Sequence, residues 1–222
     1  MEVPLKIEYR NIKYPRLEFK GLQLHIILPL NTANPTQIIN RNKAWIEKKW
    51  NKIKEATKNF SGNEEFMIFG EKYKIEKTNN HKTTINHKQR RIIINLQSQK
   101  HKEKIIHQLK KILKERLEAI INEYSTTMNI KPRKIIIRRQ KTRWGSCSNI
   151  GNINLNLKLV CIPEEMIRYV VYHEINHIKF RKHNKNFWNI IIKRYPNHKW
   201  YKEKLFEYWF ITEKLFQNLL ET

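Results

Sequence analysis

Val3, Leu5, Ile7 and Tyr9 are separated by Pro4, Lys6 and Glu8, the period-two pattern of a half-buried β-strand. Leu17 and Phe19, then Leu22, Leu24, Ile26 and Leu28, flank Lys20-Gly21 and predict a hairpin. Asn34-Pro35 is a helix-start signal, and Ile38, Trp45, Ile46, Trp50 and Ile53 recur at helical spacing, which predicts one helix over 34–57. Further strands are expected over 66–69, 73–75 and 91–96, with a turn at Gly70-Glu71. The period then lengthens. Ile105, Ile106, Leu109, Ile112, Leu113, Leu117, Ile120 and Ile121 predict a long helix over 100–128. Ile135 to Arg139, and Ile153, Leu155 and Leu157 alternating with Asn152, Asn154 and Asn156, read as two strands forming a sheet edge that could accept an extended peptide. Pro163 opens a helix with Met166, Ile167, Val170 and Val171 on its apolar face. A helix reaching about Arg194 and stopped by Pro196 follows, then an aromatic-rich one over 199–220 expected to pack into the body or a partner. The fold class is α+β: a small β-rich module with one helix over 1–96, then a second domain over 97–222.

Composition narrows the class. The 222 residues carry 45 Lys and Arg against 20 acids, a formal charge of +25, and every acid is Glu. The charge is +10 over 1–96, +10 over 97–146 and +5 over 147–222, so the excess lies mainly outside the last third. Arg138, Arg139, Lys141 and Arg143, ending in Trp144, are the densest cationic run. They are candidate contacts for substrate, or for DNA or RNA, against the alternative of a solvated face in a composition rich in Lys, Asn and Ile. Cys147 and Cys161 have no paired spacing, which suits free thiols in a reducing compartment. Met1-Glu2-Val3-Pro4 has neither basic leader nor apolar run, and no apolar run is long enough to span a bilayer. The expectation is a cytoplasmic protein without membrane attachment.

The chemistry concentrates in Val171 to His183. His173-Glu174-x-x-His177 puts two imidazoles one helical turn apart on one face, with Glu174 flanking it. A catalytic zinc takes three protein ligands and keeps one position open. His183 is the candidate third ligand, provided the helix breaks soon after His177. Glu203 and Glu207 are the competitors for that role. Glu174 is the candidate general base; Tyr195 and Arg143 are candidates to stabilise an oxyanion. His101 and His107 read as surface or satisfied residues, and Phe187 and Trp188 as core packing.

Lys141-Thr142-Arg143-Trp144-Gly145-Ser146-Cys147-Ser148, then Gly151 to Asn156, the His-Glu-x-x-His helix, and His183-Asn184-Lys185-Asn186-Phe187-Trp188 together resemble the YgjP-like zinc metallopeptidases, relatives of the SprT and WLM peptidases. Phe180 and Asn176 depart from the family pattern, at positions that are not ligands. The resemblance implies a zincin-like catalytic domain, one zinc ion on His173, His177 and His183, Glu174 as general base, and a protein or peptide substrate, by analogy one associated with nucleic acid. The other readings are a nucleic-acid-binding module whose zinc is structural, with Cys147 as a fourth ligand, and a zinc-dependent hydrolase of a non-peptide bond.

Overall fold

The computed structural model describes residues 3–32, 34–60, 64–79 and 83–220; Met1 and Glu2, which bear on a leader, lie outside them. The chain divides into two compact units, Met1–Ser61 and Gly62–Thr222. The sequence pattern suggests a division at 96/97. The strands over 64–94 instead belong with the helices that follow.

In the first unit, β1 (Leu5–Arg10), β2 (Arg16–Lys20) and β3 (Gln23–Pro29) form a sheet in the order β1-β3-β2. The hairpin β2–β3 is antiparallel as expected, whereas β1 runs parallel to β3. Leu24, Ile26 and Leu28 are buried, but Leu5, Ile7 and Tyr9 on the edge strand are exposed rather than half-buried. The single helix expected over 34–57 is two, α1 (Pro35–Arg41) and α2 (Lys43–Lys58). Asn42 separates them. Its side-chain amide donates back to the Ile38 carbonyl at 2.8 Å, an alternative to continuing the helical ladder. Ile46 and Ile53 are fully buried; Trp45 is exposed, and Trp50 stacks on Phe19.

The second unit begins with β4 (Glu65–Ile68), β5 (Glu71–Lys77), β6 (Thr84–Asn86) and β7 (Arg91–Ile94), ordered β4-β5-β7-β6, with β5 and β7 parallel. The β4–β5 turn needs its glycine: Gly70 has φ +86°, and an added Cβ would lie 3.1 Å from Pro163, at the start of the helix that matters most. The long helix α3 (Gln99–Met128) buries Ile105, Leu109, Leu113, Leu117, Ile120, Ile121 and Tyr124 on one stripe, and ends on Asn129 in the left-handed conformation. A second sheet follows, from β8 (Lys134–Arg138), β9 (Gly145–Cys147) and β10 (Asn152–Asn156), ordered β8-β10-β9. Here the sequence expectation needs correction: β10 is central, and the edge beside the helix that carries His173 and His177 is β9, a three-residue strand too short to show a period. From β10 the chain passes through a buried 3₁₀ segment, Leu157–Cys161, into α4 (Glu164–Lys179), then α5 (Lys185–Arg194) and α6 (His198–Leu220).

Ion pairs and aromatic contacts lock these helices together. Arg116 on α3 and Arg168 on α4 both bind Glu164, and Arg168 also reaches Glu123 at 2.7 Å. The aromatic helix α6 packs into the body, burying Leu205, Phe210, Ile211, Leu215, Phe216 and Leu219. Among the described residues no helix is long and apolar enough to cross a membrane.

Candidate active site

Helix α4 presents His173 and His177 one turn apart and ends at Phe180, whose backbone is extended (φ −121°, ψ 98°). That break folds the chain back and brings in His183. The three Nε2 atoms form a triangle with sides of 3.3, 3.0 and 3.0 Å. Tetrahedral bonds of 2.0–2.1 Å would separate ligand nitrogens by about 3.3 Å. The donor set therefore fits one zinc-sized cation. Three imidazole nitrogens this close with nothing to share make poor mutual hydrogen-bond partners, whereas an ion satisfies all of them. The His177 tautomer is fixed in the same sense: its Nδ1–H donates to the Phe180 carbonyl at 2.9 Å, leaving the Nε2 lone pair free for a ligand. Burial, then the neighbouring His177 and His183 and the Lys202 ammonium, push the His173 imidazole down to about 3, so it stays neutral.

Phe187, at the first turn of α5, is fully buried and touches all three imidazoles, with ring centres 4.9, 4.6 and 4.8 Å from His173, His177 and His183. Trp188 stacks on the outer face of His183 at 5.4 Å. Asn184 caps α5 by accepting from the Phe187 N–H, which fixes where that platform starts.

Glu174 is 7% exposed, and burial raises its carboxyl to about 7, with the Arg143 guanidinium opposing the rise. It is pressed against β9: a Cβ on Gly145 would fall 2.7 Å from Glu174 Cγ and 2.9 Å from Oε1. Only glycine leaves room for this carboxylate.

A family model for the YgjP-like metallopeptidase domain matches residues 13–208. The chain belongs to that family. The YgjP-like chain is thus a hydrolase of protein or peptide, of a class that uses a metal, usually zinc. The crystal structure of the metallopeptidase zymogen jannalysin of Methanocaldococcus jannaschii is similar at 24% identity and a TM-score of 0.35, over 40% of this chain and 84% of that one. None of the curated proteins compared matches the chain.

Other candidates in the YgjP-like chain lie as follows. Arg138, Arg139, Lys141 and Arg143 are all exposed. Their loop is held from below by buried Asn156, whose amide donates to the carbonyls of Gln140 and Arg143 at 2.9 and 2.8 Å. Of the four, Arg143 is the one whose charge bears on Glu174. Trp144 is engaged with α6: its indole N–H donates to the Leu205 carbonyl and its ring packs edge-on against Trp209. Tyr195 shares a 2.7 Å hydrogen bond with Tyr124 and packs among Tyr169, Tyr172 and Tyr201. Glu207 pairs with Lys204, and neither it nor Glu203 joins the histidine cluster. Cys147 is a free thiol, pushed up by burial, and also outside that cluster.

Four supporting residues escape sequence reasoning. Gly145 and Asn156 act through space and backbone, with no chemistry of their own. Arg181 donates to the carbonyls of Ser148 and Asn149, tying the turn that bears His183 to the β9–β10 turn. Lys202 lies 4.4 Å from the centre of the Trp188 ring. Both cations are hidden in a chain with 45 of them.

Proposed function

We propose that the chain is a zinc metallopeptidase in which His173, His177 and His183 hold one zinc ion and Glu174 is the general base. The observation that carries this is the triangle of three Nε2 atoms no more than 3.3 Å apart, with a buried carboxylate on the next residue of the same helix. A zinc ion held there supplies Lewis acidity, polarising the scissile carbonyl and lowering the pKa of a water. Glu174 takes a proton from water and delivers it to the leaving amine; burial keeps its carboxyl near neutrality, where both transfers are feasible. The exposed side of β9 orients an extended substrate through main-chain hydrogen bonds.

The competing readings have less support. A structural zinc needs a fourth protein ligand, and Cys147 does not join the three histidines. A two-metal phosphoesterase needs several carboxylates, and among the described residues the histidine triad is the one metal-competent cluster. The exposed Arg138, Arg139 and Lys141 keep a nucleic-acid-associated substrate within this reading, and the two free thiols suit a cytoplasmic setting. The test is metal analysis with a digestion screen, run with and without DNA, on the wild type and on Glu174→Gln. Stoichiometric zinc in both proteins and proteolysis by the wild type alone are expected. A Glu174→Gln protein that loses zinc, or retains proteolysis, would overturn the assignment.

A further inference from the structure

We propose that the site selects acidic peptide segments, with Lys202 and Arg143 as its specificity-determining cations. This deepens the peptidase reading and rests on it.

Lys202 is one of several lysines placed over an aromatic ring, and its ring is the one stacked on His183. Its ammonium lies over the face of Trp188 at 4.4 Å, and Trp188 stacks at 5.4 Å and 25° on the third histidine, His183. A cation over an indole face is attracted by the ring quadrupole, which favours positions of the charge beside the centre over those further out in solvent. Arg143 lies two residues before the glycine that packs on Glu174, in the loop held by Asn156. Both are exposed, and among the described residues neither makes an ion pair. Of the other cations, Lys204 is taken by Glu207, Lys158 by Glu213 and Arg181 by two carbonyls, while Lys182 and Lys185, on either side of His183 in sequence, are exposed and add charge of the same sign. A carboxylate on the substrate to either side of the scissile bond thus meets an unpaired cation already in place, and a lysine there meets repulsion.

The chain has no Asp and fewer than half as many acids as cations, so it offers few acidic segments to its own site. A polynucleotide would use the same charges. However, Trp188 is committed to His183 and Trp144 to α6, so neither of these tryptophans is a free platform for bases.

The test uses the full chain with one equivalent of zinc and two quenched fluorogenic peptides, identical except that Glu in one replaces Gln in the other on both sides of the cleavage point. The Glu peptide should have about tenfold higher kcat/KM at low salt, mainly through KM, with the gap closing as ionic strength rises. The double variant Lys202→Glu/Arg143→Glu should reverse the order; the ratio cancels any common effect on Glu174. Equal kcat/KM for both peptides in the wild type, or an unchanged ratio in the double variant, overturns the inference and leaves the peptidase reading intact. Binding is read separately by anisotropy of both peptides on zinc-loaded Glu174→Gln. Tighter binding of the Glu peptide without wild-type cleavage of either would uphold the cationic selectivity and reject the peptidase reading; equal binding overturns the selectivity. If an oligothymidylate displaces the Glu peptide at lower concentration than unlabelled Glu peptide does, the cations serve a polynucleotide and the inference fails.

Discussion

Gly145→Ala isolates the packing that aims Glu174, the proposed general base. The added methyl would lie 2.7 Å from Glu174 Cγ, about 1 Å inside ordinary carbon–carbon contact. Gly145 does not have positive φ, so alanine is acceptable to the backbone and the effect is one of space. Either β9 or the Glu174 side chain must yield. β9 is paired to β10, and the preceding residue is also fixed, its carbonyl accepting from the Asn156 N–H at 2.8 Å. The carboxylate has rotatable bonds, so it moves instead. A shift of about 1 Å at a catalytic group costs about 100-fold in rate, equivalent to about 2.7 kcal/mol of barrier. The stability cost should sit at the low end of overpacking, about 1 kcal/mol, or about 2–4 °C in Tm for a chain of this size. The signature is a large loss of kcat with a small fall in Tm and unchanged zinc. Gly21→Ala is the control: with φ +53° and nothing within 4 Å of an added Cβ, it should lower Tm through backbone strain while leaving kcat alone. Near-normal kcat in Gly145→Ala, or a rate loss matched by lost zinc, would refute the argument.

Arg181→Met should release the turn bearing His183 and weaken zinc about 10–100-fold in a chelator competition, as loss of an outer support of a ligand commonly does. Undiminished affinity would mean the turn holds itself. Glu164 carries a pH test. Burial raises its carboxyl, but hydrogen bonds and charge from Arg168 and Arg116 outweigh this and leave it below the ordinary value of 4.5. A depressed folded pKa gives stability that is present above 4.5 and lost as pH falls through the folded value. Glu164→Gln should therefore cost about 0.5–1 kcal/mol at pH 7, and the difference in unfolding midpoint from wild type should vanish in acid. A difference that persists at pH 2 would contradict the ion-pair account.

The parts of this fold that were legible in the sequence are those where one period persists. The stripe of α3 from Ile105 to Ile121, the apolar face of α4 and the β2–β3 hairpin all appear where the pattern puts them. The His-Glu-x-x-His spacing gave the histidine pair for the same reason: a helix converts spacing into direction. Illegible features depend on partners far away in sequence. β9 is three residues of Gly, Ser and Cys, defined by its pairing to β10 and not by any alternation. The break at Asn42 depends on whether an amide turns back to a carbonyl, which composition does not decide. Phe187 reads as core packing and is fully buried; sequence could not show that the core there is the floor of the histidine cluster.

The end of α4 shows how local and tertiary causes meet at the site. Were the helix to continue, His183 would stand about 240° around the axis from His177 and about 9 Å further along, out of reach of any shared ion. Residues 180–182 are Phe, Arg and Lys, with no glycine or proline to stop a helix. What stops it is a set of competing partners. The Phe180 carbonyl, orphaned at a helix end, is taken by the His177 imidazole, while the Phe180 N–H closes the last turn on Asn176. Arg181 is drawn off the helical path to two carbonyls of the β9–β10 turn. Phe187 then buries itself against the three rings it helps to gather. The hydrogen bond that terminates the helix is therefore the one that sets the His177 tautomer. A substitution that let the helix run on would at once unmake the turn, the third ligand's approach and the lone pair that His177 offers, so helix termination and metal binding should be lost as one event.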